Sequence, residues 1–188
     1  MVDPPTSRLG TLPATTRTVD FSERKPIGRD TAFEDWAIDG VPLRTRVAAR
    51  WGVPEPPSEL TRLWPESPRE AVQGLRALVG AGTPDMSDGR VALLVCPIDQ
   101  DVNCRALTTR LVRDADVVEW RDVGWQVDYE DFVPEADEYG PLLSFRFSRP
   151  QYETLLSSLL VEYEALAEQL PQPAPVVRRR RFWRRRRS

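Results

Sequence analysis

The chain reads as an α+β protein: a single antiparallel sheet, a meander of about four to six strands, with a helix before it and a long amphipathic helix after it. Three stretches carry that expectation. Arg90–Trp125 runs as an apolar segment (RVALLVC), a polar turn (PIDQDVNC) and two alternating segments (RALTTRLVR, then DVVEWRDVGW), which is the pattern of a meander. Ser67-Pro-Arg-Glu70 is a capping box with proline at the first helical position. Behind Ser148-Arg-Pro-Gln151, a second such box, Tyr152, Leu155, Leu156, Leu159, Leu160, Tyr163, Leu166 and Leu170 recur along one helical face.

Taken in order, residues 1–30 hold four prolines, many threonines and no apolar periodicity, and read as a disordered or loosely packed segment. Order is expected from Phe33, within a single α+β domain over 31–170. Asp39-Gly40 fits a type I′ hairpin turn, where both central residues need positive φ. Val41–Val47 is then a return strand that Pro42 confines to an edge, with a helix from Leu43 as the competing reading. Residues 52–68 are punctuated by proline, with room for one helical turn at Ser58–Leu63 and with Trp51, Leu60, Leu63 and Trp64 as anchors.

After the capping box, Ala71, Val72, Leu75, Leu78 and Val79 make one helical face, and Gly80 and Gly82 stop the helix. The unbroken Val91–Cys96 run predicts a strand covered on both faces. In the next strand Leu107, Thr109 and Leu111 share a face; in the third, Val118 and Trp120 oppose Glu119 and Arg121. Residues 126–141 are acidic and irregular, and Leu142–Phe147 resumes as a strand with Phe145 and Phe147 on one side. The final helix must lay its stripe on something, and the sheet is the expected partner. Residues 171–188 form a proline linker and an arginine-rich tail.

Composition limits the chemistry. Among 188 residues there is no histidine, which excludes Ser-His and Cys-His catalysis and imidazole metal ligands. One lysine, Lys25, stands in the N-terminal segment. Nucleotide-binding glycine loops, a Walker A loop, GxSxG and a CxxC pair are all missing from the sequence. Two cysteines and no hydrophobic leader point to a reducing cytoplasm, and no run is long enough for a membrane span. The net charge of −3 conceals an asymmetry: the last eighteen residues hold eight arginines and no acid, leaving 18 basic and 29 acidic residues over 1–170, a net of −11.

Three places carry candidate chemistry. In the turn 96–104, Cys96, Asp99, Asp101 and Cys104 could surround a zinc ion, although structural zinc sites favour paired CxxC spacing. The competing reading makes Cys96 a small buried strand residue and gives the turn its shape through Asp and Asn side chains bonded to nearby backbone. In the acidic, aromatic segment, Trp125, Asp128, Tyr129, Glu130 and Asp131 suit docking to a basic protein, aromatics anchoring and carboxylates steering. A solvated loop with inward-turned aromatics, and a carboxylate pair for acid–base hydrolysis, are the alternatives. In the tail, Arg178, Arg179, Arg180, Arg181, Arg184, Arg185, Arg186 and Arg187 flank Phe182 and Trp183, a composition suited to nucleic acid or anionic lipid.

The segments GRVALLVCP, VEWRDVGW and GPLLSFRF, with Ile38-Asp-Gly-Val-Pro-Leu-Arg44 before them, resemble a family of uncharacterised bacterial proteins over roughly residues 33–165. The turn of that family reads Cys-Pro-x-Cys-Gly-Asp-x-x-Cys-Gly. This chain matches it at Cys96, Pro97, Asp101 and Cys104 but has Asp99, Gln100 and Arg105 in place of Cys, Gly and Gly. Some members are labelled oxidoreductase with no cofactor motif behind the label, so the resemblance implies the fold boundaries more than an activity; the residues themselves favour a non-enzymatic interaction protein, in the manner of an immunity protein, with an enzyme built on a metal site at residues 96–104 as the alternative. No cofactor follows from the sequence apart from that zinc alternative.

Overall fold

A computed structural model describes residues 5–20, 27–98, 101–134 and 142–171. The described residues are α+β, with three helices and two antiparallel sheets in place of the one expected. Strands β1 (Leu9–Asp20), β2 (Ile27–Ile38) and β3 (Val41–Pro42) form the first sheet, in that order. Strands β4 (Val91–Leu94), β5 (Ala106–Arg113), β6 (Val117–Gln126) and β7 (Leu143–Ser148) form the second, a simple meander. Helix α1 spans Leu43–Trp51, α2 Pro68–Leu78 and α3 Arg149–Glu168. Among the described residues no helix is long and apolar enough to cross a membrane.

The first sheet corrects the reading of residues 1–30 as disordered or loosely packed. From Leu9 the chain is a twelve-residue strand in unbroken register with β2. Threonine is β-branched and suits a strand, and Leu9 supplies a fully buried anchor. The Asp39-Gly40 hairpin forms as its residues require, with φ of 53° and 75°. The return strand is only two residues long, because helix α1 takes over at Leu43 and ends at Gly52 in the left-handed conformation. Ser58–Leu63 makes no helical turn; Leu60 instead bridges to Val95, and Leu60, Leu63 and Trp64 are buried as expected.

Helix α2 starts at Pro68, and Gly80, at φ +72°, donates its N–H to Ala77 as the helix ends. Arg113 at the end of β5 closes the helix from outside: its guanidinium donates to the carbonyls of Leu78 (2.5 Å) and Val79. Neither capping box closes, since no side-chain cap bond is made at Ser67 or Ser148. Gln151 has another task. Its amide accepts from the Leu9 N–H (3.2 Å) and donates to the Leu9 carbonyl (2.7 Å), fastening β1 to α3.

All four residues of β4 are buried, as an apolar run covered on both faces must be. Trp120 sits at the centre of the main core, edge-on to Trp36 of the other sheet (5.9 Å) and to Phe147 (5.1 Å). Its indole N–H donates to Tyr152 Oη (3.2 Å), whose hydroxyl donates to the Leu78 carbonyl (3.1 Å). The stripe of α3 buries Tyr152, Leu156, Leu159 and Tyr163 against α2 and strands from both sheets.

Candidate functional site

The most constrained polar site of the described residues begins one residue before β4. Asp88 and Gly89 (φ +84°) make a tight turn in which the Arg90 N–H donates to Asp88 Oδ1 (3.1 Å). The Arg90 side chain then enters the protein, leaving the residue 1% exposed. Its Nε donates to Thr108 Oγ1 (2.9 Å), and Nη2 donates to the carbonyls of Thr108 (3.0 Å) and Asp122 (2.5 Å).

The carbonyl of Asp122 reaches Arg90 because β6 is bulged there. The register slips on both sides, and Asp122 takes a φ of 53°, the local re-aiming that a bulge provides. Arg90 Nη1 has no hydrogen-bond partner among the described residues, and the guanidinium lies over the Phe132 ring, 3.5 Å from its centre. Burial pushes the guanidinium pKa down to about 10, against the pull of Asp88 and Asp122, so it stays charged at neutral pH.

From this centre the bonds run outward to the acidic loop. Thr108 Oγ1 donates to Gln126 Oε1 (3.1 Å), and Gln126 Nε2 donates to Asp88 Oδ2 (3.1 Å) and to the Glu130 carbonyl (3.3 Å). Glu130 is therefore held by Gln126 and, through its N–H, by the Val127 carbonyl (3.3 Å). Phe132 closes over Arg90, with Gly124 beneath it: a Cβ there would lie 2.9 Å from the ring. Beside these fastenings Tyr129 is 73% exposed, with Glu130 and Asp131 also exposed and Asp128 half-buried.

Trp125 is corrected. It is only 8% exposed, tilted against Trp51 (5.8 Å) and covered by the guanidinium of Arg105 (4.3 Å), which Glu59 holds in turn (2.9 and 2.5 Å). It packs into the main core and offers a partner little surface. Glu135, Asp137, Glu138 and Tyr139 lie outside the described residues, as do all ten tail residues from Arg178 to Arg187.

The 96–104 turn assembles less. Cys96 is buried and Cys104 exposed, neither in a disulfide, and Asp99 lies outside the described residues. The Asp101 carboxylate accepts from the side-chain amide (2.7 Å) and backbone N–H (3.1 Å) of Asn103, which holds its carboxyl below the usual range. Among the described residues no three His, Cys, Asp or Glu side chains are placed to share a metal ion.

Arg90 was the residue that sequence patterns could not single out, since one arginine before an apolar run looks like any strand boundary. The only signal was its place in the GRVALLVCP segment. No family model, curated protein or solved structure matches the chain.

Proposed function

We propose that the protein works by binding another protein of basic character through the Tyr129–Asp131 corner. One observation carries this reading: an exposed tyrosine followed by two exposed acids, on a turn fixed at Glu130 by Gln126 and at Phe132 by Arg90. A contact surface ordered before its partner arrives loses little freedom on binding, which favours affinity. Tyrosine supplies a rigid anchor, and the carboxylates steer a positively charged surface.

The test is a pull-down with wild-type protein and with Asp128, Glu130 and Asp131 changed to lysine, repeated with Tyr129→Ala. Proteins retained by the wild type and lost from both variants are expected. The same set retained on all three would end the proposal.

A second contact, separable from the first, is proposed for RRRRFWRRRR, whose eight guanidiniums match a polyanion. If all eight meet duplex phosphates, the logarithm of affinity should fall with the logarithm of salt at a slope of about −7. Removing residues 178–188 should abolish retention on immobilised duplex DNA; undiminished retention would count against it.

A further inference from the structure

Strand β1 is an edge of its sheet, and the space beside it is a groove of about 740 Å³ between that edge and the first turns of α3. We infer that this groove takes an extended peptide of a partner protein, added as a fourth strand alongside β1. The surface is separate from the Tyr129 corner, and its test is independent.

The direction of the strand's free groups follows from Gln151. The N–H and carbonyl of Leu9 both bond the Gln151 amide and therefore point away from β2. Register with β2 is unbroken, so alternation turns the backbone groups of Thr11, Pro13 and Thr15 the same way. Pro13 fits this placement, because its missing N–H costs nothing on an outer edge. The Thr11 N–H and carbonyl face the groove and meet no group among the described residues. Gln151 thus already makes, at Leu9, the two bonds that a peptide backbone would make at Thr11.

The groove supplies walls as well as bonds. Leu12, Ala37 and Leu155 give it an apolar lining for the alternate side chains of an added strand. No acid is among its lining residues, and Arg8 stands exposed at its rim, which suits a peptide carrying a carboxylate at that end. The volume is in the range of clefts that hold ligands, about 300–1,000 Å³.

A second copy of the chain fits less well. Gln151 closes the edge at Leu9, so a symmetric pairing centred on Thr11–Thr15 would set one Pro13 against another where the ladder needs donors.

The test selects linear heptapeptides from a displayed library on the full-length protein, then measures the affinity of one enriched peptide for two variants. Thr11→Pro removes the outward N–H as Pro13 already does. Gly10→Trp fills the groove from a position where a Cβ meets nothing within 4 Å. Unchanged circular dichroism and melting would establish that both variants fold.

An affinity loss of about tenfold for Thr11→Pro, the scale of one lost hydrogen bond, and a larger loss for Gly10→Trp are expected. N-methylation of the peptide should weaken binding at every second amide. No enriched peptide, equal binding by both variants, or a methylation pattern without that alternation would overturn the proposal. So would self-association of the protein abolished by the same two substitutions.

Discussion

The guanidinium of Arg90 lies over the ring of Phe132, 3.5 Å from the arginine's central carbon to the ring centre, with the arginine sealed from water. A desolvated cation over an aromatic face is worth up to about 2 kcal/mol. Phe132→Ala should therefore lower stability by about 1–2 kcal/mol in urea unfolding. Gly124→Ala should act on the same contact by pushing the ring, and both variants should weaken partner capture by the Tyr129 corner. A stable Phe132→Ala variant with undiminished capture would show that the corner is not fixed from beneath.

Arg90 itself is more costly to change. Arg90→Lys keeps the charge, but one ammonium nitrogen cannot stand at both the Nε position, which serves Thr108 Oγ1, and the Nη2 position, which serves the Thr108 and Asp122 carbonyls. Stranding buried carbonyls costs about 1–3 kcal/mol each. A fall in the urea midpoint larger than that of Phe132→Ala is the expected outcome.

Tyr152→Phe deletes the hydroxyl between Trp120 and Leu78. Leu78 keeps its bond from Arg113, so the indole N–H alone is orphaned. The cost should be about 1–2 kcal/mol, read as a lower urea midpoint with an unchanged slope. Trp120 emission should shift as well.

The two thiols should separate in time. Cys104 is exposed and Cys96 buried, so a thiol reagent should label one rapidly in the native protein and the second only as it unfolds. Adding zinc should leave both rates unchanged. Protection of Cys104 by zinc would revive a metal site at this turn.

Acid stability should depend on Asp39. The Arg8 N–H donated to Asp39 Oδ1 (2.7 Å) holds that carboxyl below its usual 3.8, aided by Ser7 and Arg46. A carboxyl lowered on folding contributes stability that is present above pH 3.8 and is lost as the pH falls through its folded value. Asp39→Asn keeps the turn and the acceptor but cannot titrate. Its stability should fall less steeply than that of the wild type below about pH 4.

The elements with strong apolar period were legible in the sequence. Helices α2 and α3 and the meander lie where Leu75, Leu156 and Trp120 put them, because each stripe has one way to be buried. Strand β1 was not legible. Its pattern is threonine with a central proline, and what orders it is β2 alongside and Gln151 from 142 residues away. The second sheet was missed for the same reason. Within the candidate corner, the exposed acids and Tyr129 could be read directly. The inward turn of Trp125 could not, since alternation alone does not say that Trp51 and Arg105 close over it. Gln151 shows a local signal overruled: a capping-box glutamine is used to hold a distant strand.

The bond pair between Gln151 and Leu9 also sets an order of events during synthesis. Strand β1 is made before its outer partners: the amide that holds its start, and the β7 carbonyl of Arg146 that receives the Ser7 N–H, leave the ribosome some 140 residues after it. Until then the N–H and carbonyl of Leu9 lack the partner that α3 brings, so the start of β1 is fastened only once that helix has formed.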